Sequence, residues 1–233
     1  MKKLSLLAIF ALSLFSAKAQ DSNSGLEIGL KISPSISSNR VVAPGEFGIE
    51  NDGASGRFGV GLVFDYFFGE NYAFSTGLEY SSKGSGVKYE DREVPGTMLT
   101  DEFNVQYLQI PLGFKLFTNE VATDMRVYFQ LGTSINARIS SKVDDEKFYL
   151  KANGESAKTN NRFNLFEMDA VLGSGVELQL GANTKVFGGI SYHRGLSNID
   201  SYYEDYYKNK PGVNSQDIAI KNNIFALDLG LKF

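Results

Sequence analysis

The clearest candidate for acid–base chemistry is His193, the single histidine among 233 residues. A histidine that contacts a carboxylate acts as a general base, and Asp169 and Asp200 are the conceivable partners. A lone histidine in a polar wall is more often an ordinary hydrogen-bonding group. We therefore predict no catalytic site and no enzymatic activity.

The remaining polar motifs predict neither a cofactor nor a metal. The chain has no Cys, which excludes disulfides, Cys-ligated metals and thiol enzymes. Gly173-Ser174-Gly175 lies in a predicted strand, not in the strand-to-helix turn of a nucleotide site. Asp144-Asp145-Glu146 lacks the alternating spacing of a calcium loop and is interpreted as solvated. The formal net charge of −4 argues against nucleic acid as a partner.

Four tyrosines form the most unusual surface segment: Tyr202, Tyr203, Tyr206 and Tyr207. Their spacing would place two aromatic pairs on one helical turn. One hypothesis is that they contact a glycan or a protein outside the cell, since tyrosine is a common recognition residue. The other is that they pack against neighbouring loops, because long loops need some core of their own. We favour packing.

These residues must be positioned by β-strands, because the hydrophobic period of the chain is two. Eight segments alternate between apolar and polar residues, and no segment predicts a convincing helix. The segments are Gly25–Ser33, Arg57–Phe67, Ala73–Ser81, Tyr107–Leu116, Arg126–Ala137, Met168–Leu180, Lys185–Ser197 and Phe225–Phe233.

Short and long connections alternate between these strands. The short turns are 69–71, 118–125 and 181–184, and the long loops are 34–56, 82–102, 138–163 and 198–218. This order predicts an up-and-down sheet with all four long loops at one end. Both chain termini then lie at the end with the short turns.

The first nineteen residues predict a cleaved secretory signal peptide. Lys2 and Lys3 precede the apolar run Leu4–Phe15, and Ala17-Lys18-Ala19 has the A-x-A cleavage pattern. The run is too short for a transmembrane anchor. We therefore expect residues 20–233 to form a single mature domain.

Two barrel types fit the alternation, a soluble barrel with its apolar face inside and an outer-membrane barrel with that face toward lipid. The membrane barrel is favoured by the length of the segments and by the four polar loops at one rim. Aromatic residues also gather at the short-turn ends, as in an interfacial girdle. They are Tyr66, Phe67, Phe68, Tyr72, Phe117, Phe187 and Phe233. The predicted fold is an all-β, eight-stranded antiparallel up-and-down transmembrane barrel.

The polar face would then line the interior. It carries the acids Glu27, Asp65, Glu79, Asp169, Glu177 and Asp228 and the bases Lys31, Arg57, Lys115, Arg126 and Lys232. A barrel of eight strands is only wide enough for its own side chains, so these charges should pair. We expect a plugged polar interior, with a narrow or gated pore as the alternative.

Three segments resemble a known family. Tyr107–Leu116 reads YLQIPLGFKL, Asp169–Glu177 reads DAVLGSGVE, and Tyr192–Ile199 reads YHRGLSNI. They are similar to segments of PorT-type outer-membrane β-barrel proteins, the porin family of Bacteroidota, although Val171 stands where that family often has Gly. The resemblance implies the barrel fold and an outer-membrane location. Some relatives are linked to secretion or gliding machinery, but these residues do not carry that role over.

Two further residues carry structural predictions. Pro111 cannot donate to a β-ladder, so Ile110-Pro111 should mark a bulge or a local break in the fourth strand. Phe233 ends a strand with apolar residues at every second position, which looks like the C-terminal signal read by the barrel-assembly machinery.

The sequence leaves two classes of function open. One is a structural or surface-interaction barrel that displays four long loops, and the other is a narrow porin-like channel for small solutes. A component of a secretion system is a remote third. The expected partners are outer-membrane lipid, the barrel-assembly machinery, and an extracellular glycan or protein bound through the loops.

Overall fold

The computed structural model describes residues 25–233 except 92–93, 95, 152–153 and 209–213. The predicted signal peptide, residues 1–19, lies outside the described residues. Within the described part of the chain, no helix is both long enough and apolar enough to cross a membrane.

The described residues form twelve strands, one short helix and three 3₁₀ turns. The strands are β1 (Leu26–Val42), β2 (Glu50–Asp52), β3 (Ala54–Gly69), β4 (Tyr72–Lys83), β5 (Gly86–Glu90), β6 (Met98–Phe117), β7 (Met125–Val143), β8 (Phe148–Leu150), β9 (Ser156–Lys158), β10 (Phe166–Gln179), β11 (Lys185–Gly195) and β12 (Ala219–Lys232). The helix α1 is Tyr202–Tyr206, and the turns are Gly45–Phe47, Thr159–Asn161 and Ser215–Asp217.

Eight of the strands close into an antiparallel ring. The order around it is β1, β3, β4, β6, β7, β10, β11 and β12, and β12 pairs with β1. A row of paired residues that leaves β1 at Ser38 passes through Asn223 of β12, Arg194 of β11 and Ala170 of β10. It returns to β1 at Ile28, ten positions earlier. This stagger tilts the strands and closes the barrel, which confirms the predicted fold class.

The strands extend further toward the long-loop end than predicted. β1 continues to Val42, β6 begins at Met98 and β7 continues to Val143, so much of the predicted loops 34–56, 82–102 and 138–163 is strand. The helix α1 likewise lies within 198–218, where the hydrophobic period indicated none. The barrel wall therefore rises well beyond the predicted membrane segments.

The polarity of the wall inverts at the level where this extension begins. On β6, Phe103, Val105 and Tyr107 point inward and are buried, whereas Leu108 and Ile110 point outward and are exposed. Alternate residues of a strand lie on opposite faces, so the apolar positions change face between Tyr107 and Leu108. The lower part of the wall therefore suits lipid outside. The upper part suits water outside and an apolar core inside.

Pro111 interrupts a ladder without a bulge. Pairing of β4 with β6 skips from Thr76–Leu112 to Glu79–Gln109 and keeps the same register. The hydroxyl of Thr76 donates to the Pro111 carbonyl at 2.8 Å, which satisfies one group at the gap. The local break is confirmed, while the register shift between β6 and β7 lies at Gln106/Tyr107, where Ile139 is the extra residue on β7.

The aromatic residues at the short-turn end divide between the two faces. Tyr66, Phe68, Tyr72 and Phe233 are exposed, as expected for a girdle. The assignment of Phe67, Phe117 and Phe187 to that girdle is wrong, since all three are buried inside the barrel. Their strand positions share a face with the luminal charges. They close the lower end of the lumen instead of contacting lipid.

Neighbouring strands approach closely at Gly132. A β-carbon there would lie 2.6 Å from the Cα of Gly113 and would also collide with the carbonyl of Leu112. Gly132→Ala should lower the free energy of unfolding by about 1–3 kcal/mol, because the ladder has no room to adjust. Urea unfolding of the refolded protein in lipid vesicles, followed by circular dichroism, measures this.

Gly188→Ala is the matched control. A β-carbon at Gly188 would meet only the end of the Leu229 side chain, at 3.4 Å. We expect its unfolding midpoint to stay near that of the unsubstituted protein. Equal midpoints for the two variants would contradict the close approach at Gly132.

Candidate functional site

The interior is closed at the short-turn end by a floor of buried side chains: Val63, Phe67, Ala73, Phe117, Tyr128 and Phe187. Cations lie against these rings. The guanidinium of Arg126 is 4.6 Å from the ring centroid of Phe117, and the ammonium of Lys115 is 5.4 Å from that of Tyr128. Such contacts are favourable where a cation is partly desolvated. The floor therefore carries both apolar packing and positive charge.

The lowest ion cluster surrounds Lys232 of β12. Its ammonium lies 2.7 Å from Asp65 and 3.3 Å from Glu27, and it also contacts Glu177. Lys115 of β6 approaches Asp65 at 2.9 Å from another side. The cluster joins five strands through side chains that lie far apart in sequence. The predicted pairing of luminal charges is confirmed here.

A second cluster lies in the middle of the lumen. Lys31 of β1 pairs with Glu79 at 2.7 Å and with Asp228 at 3.4 Å. The carboxylate of Asp228 also accepts from the hydroxyls of Ser33 at 2.6 Å and Ser191 at 2.7 Å. Each charge thus has a countercharge or hydrogen-bond donors, as burial requires.

The third cluster lies higher and includes two residues that sequence analysis missed. Lys83 is fully buried between Asp169, which it contacts directly, and Glu167 at 3.5 Å. Asn136 donates to Asp169 at 2.9 Å, and Asn222 donates to Glu167 at 2.9 Å. Lys83 and Glu167 were missed because each lies just beyond a predicted segment. Both residues continue the alternation of lumen-facing positions, Lys83 on β4 and Glu167 on β10. This alternation is the sequence signal that could have identified them.

Arg57 departs from the predicted luminal pairing. Its guanidinium donates to the carbonyls of Gly84 at 3.0 Å and Phe103 at 2.6 Å, and it approaches Glu102 at 4.0 Å. These partners lie where the strands leave the predicted membrane segments. The expectation that Arg57 pairs with a luminal acid is wrong, because backbone carbonyls are the nearer acceptors at that level.

His193 points into the lumen, but its contacts do not form a proton relay. Its Nε2 lies 3.3 Å from the hydroxyl of Ser191, and that hydroxyl donates to Asp228. In a catalytic triad the carboxylate orients the histidine, whereas here it binds the serine. The side chain of Asp200 instead binds Arg162. This geometry gives no support for catalysis.

Little space remains between the clusters. A void bordered by Lys31, Glu79, Lys115, Tyr128 and Asp228 has a volume of about 20 Å³. That is room for about one water molecule. In the described residues, no group of three or more His, Cys, Asp or Glu side chains is arranged to hold a metal ion.

A cap of loops closes the opposite end, and Arg162 is its centre. The guanidinium lies 2.7 Å from Asp101 and 2.9 Å from Asp200, and its carbon lies 4.3 Å from the ring centroid of Tyr202. Burial alone would lower the pKa of Arg162. The nearby Asp200, Tyr203 and Asp101 raise that pKa well above its ordinary value. Arg162 therefore stays charged and joins its own loop and the loop of Asp200 to the upper part of β6.

The tyrosines of α1 form part of the apolar core of this cap. Tyr203 is fully buried, and Tyr206 and Tyr207 are nearly so. They pack with Phe47, which lies in the first long loop, and with Phe103, which lies on the extended barrel wall. The packing hypothesis is confirmed, and three of the four rings are turned away from any external ligand. The cap and the wall form one continuous core.

Comparison with known proteins identifies the family. The profile of the outer membrane protein beta-barrel domain matches residues 18–201. The chain belongs to this family. A comparison with curated proteins finds no significant match.

Solved structures share this fold at low sequence identity. Neisserial surface protein A has a TM-score of 0.50 and 10% identity, and the match covers 91% of this chain and 98% of that one. The outer membrane protein OprG of Pseudomonas aeruginosa has a TM-score of 0.46 and 13% identity, covering 93% and 99%. Ail, the attachment invasion locus protein of Yersinia pestis, has a TM-score of 0.43 and 14% identity, covering 89% and 98%. At 10% identity, the likeness to Neisserial surface protein A concerns the fold alone.

Removing Lys83 from this outer-membrane barrel tests the upper cluster. Lys83→Met should lower the free energy of unfolding by about 3–5 kcal/mol, because it leaves two buried carboxylates without their countercharge. The measurement is urea unfolding in lipid vesicles. Lys88→Met is the control, since Lys88 forms an exposed pair with Asp52 at 3.0 Å and should change stability by about 0–1 kcal/mol. Equal losses would show that Lys83 has no special role.

The cap should respond to alkaline pH through Tyr202. Burial raises the pKa of Tyr202 to about 12, with the Arg162 charge opposing the shift. The phenol ionises near pH 10 when unfolded, so its protonated burial stabilises the cap fully below that pH. This contribution disappears as the pH rises through about 12. A titration of tyrosinate absorbance should show a late step that Tyr202→Phe removes, and an unchanged curve would refute the assignment.

Proposed function

We propose that the protein is a closed structural barrel of the outer membrane that presents a rigid cap for interaction at the cell surface. The observation that supports this most directly is the filling of the lumen. Aromatic side chains, three ion clusters and the cap succeed one another along the axis, with a void of about 20 Å³ among them. A solute path would need several of these layers to separate together.

The orientation and processing follow from the same proposal. The long-loop end faces the exterior and the two termini face the periplasm, since the water-suited part of the wall rises only at the long-loop end. Residues 1–19 are removed as a signal peptide, and residues 20–233 form the mature domain. The resemblance to PorT-type proteins supports delivery by the barrel-assembly machinery.

The surface role belongs to the outside of the cap, not to the buried tyrosines. Phe148 and Leu150 on the β8–β9 hairpin are more than half exposed, and Glu204 and Asp205 lie on the outward side of α1. Apolar and acidic groups on a fixed scaffold suit recognition of a protein or glycan with little ordering cost. Replacing the four tyrosines would disrupt the scaffold first.

Conductance in planar bilayers separates this role from a porin-like channel. We expect the refolded protein to carry no steady current. We also expect Arg162→Ala, which loosens the cap, to remain silent because the ion clusters below still fill the lumen. Heat-modifiable migration on gels verifies that both proteins are folded in the membrane.

Steady currents from the unsubstituted protein would overturn the proposal and establish the channel. Currents from Arg162→Ala alone would show that the cap is a gate above an open lumen, which also contradicts a filled barrel.

A further inference from the structure

An unpaired basic stripe crosses the outer surface where β1, β12 and β11 meet. Arg40 pairs across strands with Lys221, and Asn223 pairs with Ser38 on one side and with Arg194 on the other. Residues paired in a ladder point to the same face. All five side chains therefore share one outward surface.

The positive charges of this stripe have no acidic partners. Arg40 donates to the Gly195 carbonyl at 2.9 Å, and Lys221 donates to the Leu196 carbonyl at 2.8 Å. Across the described part of the chain, none of the ion pairs includes Arg40, Arg194 or Lys221. Most other cations of the wall pair with a carboxylate, whether they are buried or exposed. Arg40, Arg194 and Lys221 together are therefore a local excess of positive charge.

Two polar atoms in the stripe also lack partners. The Nε of Arg40 and the Oδ1 of Asn223 are shielded from solvent and have no hydrogen-bond partner in the structure. Because these two atoms are covered by the protein, an external ligand reaches the other groups of the stripe. The hydroxyl of Ser38 and the side-chain amide of Asn223 lie beside the three cations, and this combination suits an anionic ligand that also carries hydroxyl groups.

The stripe begins directly above the lipid-facing surface. The next outward neighbours below it are Ile36, Phe225 and Tyr192, and the rings of Phe225 and Tyr192 pack at a tilt with centroids 4.6 Å apart. Phe225 is 66% exposed. A ligand that touches both surfaces needs an anionic headgroup and acyl chains.

We propose that Arg40, Arg194 and Lys221 bind the phosphate-bearing saccharide headgroup of a glycolipid in the outer leaflet. The cations contact the phosphate, while Ser38 and Asn223 contact sugar hydroxyls and the acyl chains lie on Ile36 and Phe225. Clustered Arg and Lys at a membrane surface attract anionic lipids in this way. The assignment to the outer leaflet rests on the proposed orientation of the barrel.

Native mass spectrometry of the refolded protein in uncharged detergent tests this, with diphosphorylated lipid A as the probe. We expect one lipid A molecule per barrel. The triple variant R40Q/R194Q/K221Q should bind it more weakly by at least about tenfold. The control K88Q/K142Q/K151Q removes the same charge from the same end of the molecule and should bind as the unsubstituted protein does.

Several outcomes would overturn the proposal. They are undiminished binding by the triple variant, an equal loss in the control, and equal binding of lipid A stripped of its phosphates. Displacement by millimolar inorganic phosphate would show a simple anion site, and equal affinity for a phospholipid would remove the role of the sugar. If the triple variant does not fold, Arg194→Gln replaces it, since Arg194 is exposed and its guanidinium forms no ion pair or hydrogen bond within the described part of the chain.

The result is independent of the closed-barrel proposal. A barrel that conducts current yet binds lipid A as expected would refute the closed lumen and support the lipid site. Cleavage of the long loops by a protease confined to the periplasmic side would refute the orientation, and the outer-leaflet assignment with it.

Discussion

The constraint on which the structure depends is that charges inside a cylinder of eight strands must neutralise one another. Lys83 and Lys232 are buried away from solvent, so each needs carboxylates at contact distance. These carboxylates come from strands far away along the chain, as with Lys232 and Asp65. Ring closure, strand register and the small residues between the charges are all required to bring them together. A wide channel would relax this requirement, and the observed packing does not.

The second organising feature is the change of apolar face along a single strand. β6 is apolar outward at Leu108 and Ile110 and apolar inward at Phe103 and Tyr107. The lower part of β6 therefore suits lipid on its outer face, and the upper part suits water there. Apolar side chains are favoured on the face that does not meet water. In the lower barrel the polar residues line the lumen, and in the upper barrel apolar residues fill the interior as in the core of a soluble protein. Arg162 and the α1 tyrosines complete that core, which is why the cap is continuous with the wall.

The sequence predicts the ring of eight strands, since period-two alternation is strong wherever lipid meets the outer face. It also predicts that luminal charges pair, as at Lys31 and Glu79. It does not predict the strand extensions. The alternation was followed with the apolar residues on one face only, and this pattern stops where the apolar residues move to the other face. Arg162 and Asp101 were missed for a different reason. Arg162 lies in a connecting segment without periodicity, Asp101 lies on the part of β6 that was predicted as loop, and only the fold brings the two within 2.7 Å.

The position of Lys232 on the final strand has a consequence for biogenesis. Asp65 and Glu177 lie on strands synthesised much earlier, and each contacts the ammonium of Lys232 once β12 docks beside β1. Until then the lower acids lack one of their main counterions. Docking of β12 therefore completes the ion pairing at the lower end of the lumen, where Lys185 and Arg126 also contact Glu177. β12 also carries Asp228, which pairs with Lys31, so its docking adds one positive and one negative charge to the lumen and changes where the charges are paired, not their sum.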